Sequence, residues 1–545
     1  MKDYTKRQKI LIVLGVSLFI LIGSGLTYAG LMWATSNPIN IGLTSGCFEI
    51  NYTPGGAINN ANVEVMNEST LISNNKFTIT EGIALTYANI GIKSTCTVKG
   101  YGSLYLNVTN LSSAFTTGSS KGSLKYAILN NTSSSTTLTV TGLKGQSFDI
   151  VKTGTITSTG TKKILTKQLS NTSQYKYLIV FYIDGSKIGN DVIGASFNGN
   201  ISADAHQGEL DFAKETLNYL NSLNSTITLA NDTPDFTKVS GNNGGKGDGT
   251  KGIYKAEDDL GTSYYFRGAV DNNYVNFANF YWRIIRINGD GSIRMIYAGT
   301  SPHENGYNDS STYDMRIGRS AYNSSYNDNA YVGYMYGTAG STTYDATHSN
   351  TNDSTIKSYI DTWYQNNLNS YSQYIADTIY CNDRSITPVD SFLGMSLTGT
   401  GIGTENTAYS NLKRNWIDHT PSLKCTNIND RFTVSNDIGN TALTYPVGLI
   451  TLDEAAIAGG LTYDVNTSSH ITNMDYYLYT GYWCWTMTQD AFAGGTAFVD
   501  GVDRDGRLYR SNVRINSGSA RPVVSLNSDA ISRGSGTMID PFVVG

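Results

Sequence analysis

Charge is scarce in this chain of 545 residues: Asp, Glu, Lys and Arg together make up 15% of it, where ordinary soluble domains carry roughly 25%. The formal balance is -5, so the basic footprint that nucleic acid requires is missing and no nucleic-acid partner is expected. Proline is sparse at nine residues and hydrophobic content is 39%, which argues against wholesale disorder. The five cysteines contain no Cys-x-x-Cys. His206, His303, His348, His419 and His470 contain no His-x-His or His-x-x-x-His. Zinc ligands normally come partly in such short-range pairs, so neither a metal nor another cofactor is expected.

Catalytic constellations are missing in the same way. Asp453 and Glu454 are adjacent, so they cannot face one another across a scissile bond as glycosidase carboxylates do, and helix capping is the better reading. Ser354 to Lys357 and Ser410 to Lys413 match Ser-x-x-Lys, but no Lys-Thr-Gly follows them. Asp500, Asp503, Asp505 and Gly506 echo a calcium loop without a closing Glu, which favours a hairpin turn. The glycine-rich stretch at 240–252 lacks the order of a phosphate loop. No catalytic residue is assigned.

What is abundant is Tyr, 38 residues, and Gly, 56 residues, a composition common among exported bacterial β proteins. At the amino terminus Lys2, Lys6, Arg7 and Lys9 precede an uncharged run from Ile10 to Trp33, long enough to span a bilayer. The next basic residue is Lys76, so the positive-inside rule places the start in the cytoplasm and the remainder outside. The run reads equally as an uncleaved anchor, on the outer face of the membrane, or as a signal segment with secretion.

Short β-rich runs then recur, among them Leu104–Val108, Leu138–Val140 and Tyr177–Ile183. The last is followed by Asp184–Gly185, a hairpin signal, and the spacing suggests a sandwich. Ala213, Leu217 and Leu220 share one helical face, so a short amphipathic helix is expected over Glu209–Leu223. Phe280–Ile287 and Ile293–Tyr297 flank Asn288-Gly289-Asp290-Gly291-Ser292 as a hairpin. In it Trp282, Ile284 and Ile296 alternate with Arg283, Arg286 and Arg294, one face buried and the other polar. Thr355–Asp377 reads as a helix, and Thr451 with Glu454 forms a capping box. The expected segments are 1–9 (cytoplasmic, basic), 10–33 (membrane anchor or signal), 38–204 (β-sandwich), 205–252 (helix and glycine-rich linker) and 253–545 (carboxy-terminal domain). In an oxidising compartment, two separated cysteine pairs, each confined to one domain, suggest Cys47–Cys96 and Cys381–Cys425, with Cys484 left over.

The stretch Gly481–Leu526 carries the densest pattern. It opens on Tyr482, Trp483 and Trp485, runs through Asp503-Arg504-Asp505-Gly506 between two strand-like runs, and closes on a strand-like Arg521–Leu526. The order W-x-(S/T), A-x-x-V, D-G-x-(L/V), (V/A)-R-P-V resembles the end of a C-type-lectin-like domain. Together with YWRIIRINGDG, the CNDR and KC pair, YPVGLITLDEAAIAGG and YWCWT, it is similar to uncharacterised bacterial surface domains. These are remotely like the formylglycine-generating-enzyme fold. Neither that enzyme's cysteine pair nor a Glu-Pro-Asn calcium ligand loop is present. GSGLTYAGLMWATSNP resembles the export region of the camelysin/TasA fibre proteins.

The expected fold class is therefore an N-terminal transmembrane helix, then a β-sandwich, then an α+β domain resembling the C-type-lectin-like fold. The expected function is non-enzymatic binding or adhesion at a bacterial cell surface or after secretion, the sandwich serving as a stalk. An extracellular enzyme acting on cell-wall or glycan substrates and a structural fibre protein are the alternatives. The partners expected are the membrane, through 10–33, and a polar glycan or protein ligand outside the cell. The candidate ligand contacts are Tyr482, Asp503, Arg504, Arg507, Tyr509 and Arg510, because exposed Tyr and Arg bring large area and directed hydrogen bonds.

Overall fold

The computed structural model describes residues 49–59, 63–73, 76–93, 100–135, 137–169, 174–207, 211–306, 310–436, 438–462 and 471–545. The chain divides into two compact units, Met1–Leu210 and Asp211–Gly545.

The first unit is built around the strand Gln174–Asp184, which pairs antiparallel with Ala84–Lys93 on one side and Leu124–Asn130 on the other. It belongs to an eight-stranded sheet, faced by a second sheet of Gly100–Leu111, Phe197–Gln207 and Gly160–Leu169. Tyr177, Ile179 and Phe181 enter the core between the sheets with Leu104, Leu106 and Ile201. Leu178, Val180 and Tyr182 enter a separate core on the far face with Phe77, Leu143 and Phe148. The unit is a β-sandwich whose central strand is buried on both faces. That is why this strand reads as an unbroken apolar run rather than as an alternation.

Two local expectations in this unit fail for identifiable reasons. Leu138–Val140 is not a strand: the Thr139 hydroxyl accepts from the Gly142 N–H (3.2 Å) and caps the one-turn helix Val140–Leu143. Asp184–Gly185 is not a hairpin turn. Asp184 accepts from the Ser186 N–H, opens the 3-10 turn Gly185–Lys187 and pairs with Lys125 at 2.8 Å, and the next strand joins the other sheet.

The second unit begins with the helix Phe212–Leu223, capped by Asp211 and burying Ala213, Leu217 and Leu220 as their spacing predicts. The helix packs within this unit's main core. The glycine-rich stretch is tied in as well, since Asp248 pairs with the buried Arg267 at 2.8 Å. One large sheet runs Gly252–Asp258, Gly261–Arg267, Phe280–Ile287, Tyr274–Phe277, Phe542–Val544, Ile531–Arg533, with Ile293–Gly299 bridging Phe280–Ile287 to Val523–Leu526. A second sheet is centred on Cys484–Ala493, Thr496–Val502 and Leu508–Asn512. The expected closing strand of the Gly481–Leu526 stretch is thus split. Ser519–Ala520 stays with the second sheet, whereas Val523–Leu526 crosses to the first.

The fold class needs correcting. The described chain is mostly β, not an α+β domain behind a membrane helix. The expected helix over Thr355–Asp377 ends at Asn367 and continues as a 3-10 turn, leaving 13 residues, and the helix at Phe212 has 12. A membrane-spanning helix needs about 20 apolar residues, and among the described residues no helix is long and apolar enough to cross a membrane. Residues 1–9 and the run 10–33 lie outside the described residues, as do Cys47 and Cys96. Cys381 and Cys425 are joined, with Cα atoms 5.7 Å apart, and Cys484 is a free, buried thiol.

The hairpin over Phe280–Gly299 forms where expected, but its polar face is not solvated. Arg283, Arg286 and Arg294 are all buried. Arg286 donates to Asp258 (2.7 Å) and Glu454 (2.9 Å), Arg294 lies 2.6 Å from the same Glu454 oxygen, and Arg283 donates to Asn273 (2.6 Å) and Val270. A guanidinium withdrawn from water needs such partners to offset desolvation.

Candidate functional site

The hairpin that carries most of the candidate contacts is made by its turn. The Asp503 N–H donates to the Arg507 carbonyl at 2.8 Å and the Gly506 N–H to the Asp503 carbonyl at 2.9 Å. Gly506 has φ +80°, which glycine adopts without a Cβ clash. The side chains then part company. Arg507 forks onto Asp503 (3.0 and 2.8 Å), lies 3.4 Å from Asp505 and stacks above Tyr509. Tyr509 is half-buried against Trp416, while Arg504 is exposed.

Arg510 turns inward. It donates to the buried Asp490 at 2.9 Å, with its guanidinium over the Phe392 and Phe498 rings. Asp500, on the neighbouring strand, is also buried and accepts from Asn411 (2.6 Å) and Trp416 (3.3 Å). Burial, followed by the like charge of Asp490, pushes the Asp500 carboxyl well up, and burial raises Asp490 despite Arg510. A carboxyl raised in the folded state contributes stability that is complete below its unfolded value and is lost as pH rises toward its folded one. Asp490→Asn keeps the acceptor for Arg510 and places an amide where Oδ1 has no donor. The fall in melting temperature from about pH 5 to about pH 8 is expected to be smaller in this variant than in the wild type. Equal slopes in the two proteins would show that the pair does not share the strain.

Tyr482 belongs to a different set. Its ring and that of Tyr313 lie on the guanidinium of Arg316, at 4.0 and 4.1 Å, and stand edge-on to each other at 6.0 Å. Arg316 is only 6% exposed, yet it pairs with no carboxylate among the described residues. Its Nη1 donates to Ser519 Oγ at 2.9 Å, while Nε and Nη2 find no acceptor among the described residues. Tyr313 is 59% exposed and forms the outer cover. The cysteine of the same strand, Cys484, is buried, and burial raises its thiol although Arg521, Thr480 and Arg316 oppose the shift.

The structure therefore groups Asp503, Arg507 and Tyr509, leaves Arg504 exposed in the same turn, turns the half-buried Arg510 inward onto Asp490, and gives Tyr482 to an arginine that sequence reasoning missed. Nothing local marks Arg316, because its stacking partner Tyr482 and its acceptor Ser519 come from the far end of the chain. Trp485 is core, with its Nε1–H on the Ser320 carbonyl (2.9 Å), and Trp483 meets it edge-on at 5.5 Å.

Two other clusters are committed to the fold. Thr451 and Glu454 form the capping box of the helix Leu452–Ala458, and Asp453 accepts a fork from Arg414 at 2.7 and 2.8 Å. The gap beside these pairs, near Cys381, is about 30 Å³, room for little more than a water. Ser354 caps the helix Thr355–Asn367, and Lys357 is held by Asp353 (3.1 Å) and Asp361 (2.7 Å). Among the described residues no group of His, Cys, Asp and Glu could hold a metal ion. Compared with known proteins, the chain matches no family model and no curated protein.

Proposed function

We propose that the chain is a non-enzymatic binding or adhesion protein of a bacterial cell surface, or a secreted one. Its ligand is a polar glycan or protein outside the cell that offers an anionic group to Arg316. The observation that carries this reading is the buried guanidinium between Tyr313 and Tyr482, with two donors unmet and no carboxylate paired to it among the described residues. An uncompensated buried cation is costly, and an incoming oxyanion offsets that cost through charge-assisted hydrogen bonds. Rotation of the exposed Tyr313 side chain opens the edge of the guanidinium. The ring of Tyr482 then remains as a platform, with aromatic area at little entropic cost.

The test is an array of glycans and peptides, with and without carboxylate or sulfate groups, probed with the full chain. Anionic members are expected to bind. Arg316→Met, which keeps the apolar stem between the rings, is expected to weaken binding by about 2–3 kcal/mol. Undiminished binding by this variant, or a preference for cationic members, would remove Arg316 from the site.

A further inference from the structure

The second unit holds a cleft of about 240 Å³, open to solvent, with Tyr344, Asp345, Ser349 and Asn350 on one wall and Asn427, Asn429 and Asp430 on another. It shares no residue with the Arg316 set. From this cleft we infer a second binding site, one that takes a neutral polyhydroxylated ring of monosaccharide size.

The size comes first. Pockets for drug-sized ligands run from roughly 300 Å³ upward, so this cleft suits a single six-membered ring rather than a chain. Its walls are fixed. Arg384, itself buried, donates from Nε to Asp430 (2.8 Å), from Nη1 to the Met335 carbonyl (3.0 Å) and from Nη2 to the Asn429 carbonyl (3.1 Å). The Cys381–Cys425 bridge ties together the two loops that carry Arg384 and Asn427–Asp430. Tyr344 donates to the Arg384 carbonyl at 2.6 Å and lies against His348, ring centroids 4.4 Å apart and planes tilted by 46°.

The polar groups choose the ligand. His348 donates from Nε2 to the Gly401 carbonyl (3.0 Å), which leaves Nδ1 as an acceptor. Nδ1 and the Asn350 Oδ1 are acceptors that no donor among the described residues satisfies; both are closed to solvent, so a ligand hydroxyl reaches them once the half-buried Asn350 side chain turns. Burial first, then the Arg384 charge, hold His348 down to about 3, so the imidazole stays neutral. Arg384 and Asp430 cancel as a pair, and the remaining charge, Asp345, is exposed and screened. Asn427 and Asn429 add amides that both donate and accept. An ammonium ligand leaves those amide donors unused, and a carboxylate meets acceptors and the Asp345 charge. Hydroxyl groups, which give and take hydrogen bonds, use both kinds of wall atom, and the Tyr344 ring offers a face to C–H groups.

The experiment is saturation-transfer NMR and calorimetry on the full chain with a panel of neutral monosaccharides, against glycerol, small amines and small carboxylates. Asn427→Asp keeps the oxygen that caps Asn429 but removes the donor, and Asn429→Ala leaves the backbone carbonyl that Arg384 uses. Saturable binding of at least one monosaccharide is expected, weakened by roughly tenfold or more in the double variant, with the melting temperature little changed. Because His348 does not titrate in this range, affinity is expected to stay level from about pH 5 to about pH 8. Failure of every monosaccharide to bind, tighter binding of amines or carboxylates, or equal affinity in the double variant would each overturn the assignment.

Discussion

Alanine in place of Glu454 is expected to cost about 3–5 kcal/mol of folding free energy, the range for removing one partner of a buried ion pair. Three functions meet on this side chain. Its carboxylate faces Arg286 (2.9 Å) and Arg294 (2.6 Å), and it closes the capping box by accepting from the Thr451 N–H at 3.0 Å. Removing it strands two guanidinium groups in the interior, and Asp258 remains as the partner of only one of them. The loss should appear as a lowered denaturant midpoint of the full chain. A change under about 1 kcal/mol would show that water reaches the cluster. Glu454→Gln, which keeps the cap and loses the charge, should fall between. The carboxyl is held below its usual range because Arg294 and Arg286 outweigh burial. Its contribution is therefore complete above the unfolded value and is lost as pH falls through the folded one, so wild type and Glu454→Gln should converge in acid.

Opening the Cys381–Cys425 bridge is expected to cost about 4 kcal/mol in the chain-entropy model for a loop of this length, the two cysteines being 44 residues apart. Cys381→Ala/Cys425→Ala, or reduction of the wild type, should lower the melting temperature of the full chain. The loops that the bridge joins also carry the Arg384–Asp430 pair. An unchanged melting temperature in both experiments would mean that the loop is already ordered in the unfolded chain.

The parts of this structure that were legible in the sequence are those with short-range causes. The face made by Ala213, Leu217 and Leu220, the Thr451/Glu454 box and the Asp503–Gly506 turn depend on residues within a turn or two of each other. The arginines of the Phe280–Gly299 hairpin show the limit. Alternation reads the same whether the polar face meets water or meets Glu454, which is 168 residues further on. The fate of Arg510 was hidden for the same reason, since Asp490 approaches it only through the pairing of three strands. The α+β reading fails because apolar spacing over Thr355–Asp377 does not say where a helix gives way to a 3-10 turn.

The strand Gln174–Asp184 also sets a timetable. Its two neighbours, Ala84–Lys93 and Leu124–Asn130, do not pair with each other, so each waits for it as a shared partner. A chain emerging from the ribosome has made both of them long before the piece that joins them exists. Contacts this far apart in sequence form slowly. Until residues 177–183 arrive and insert, the growing chain carries unpaired edges, and the arriving segment is itself apolar, rich in β-formers and uncharged, the profile of a self-associating hexamer or heptamer. Slower delivery of residues 177–183 is therefore expected to lower the yield of folded protein.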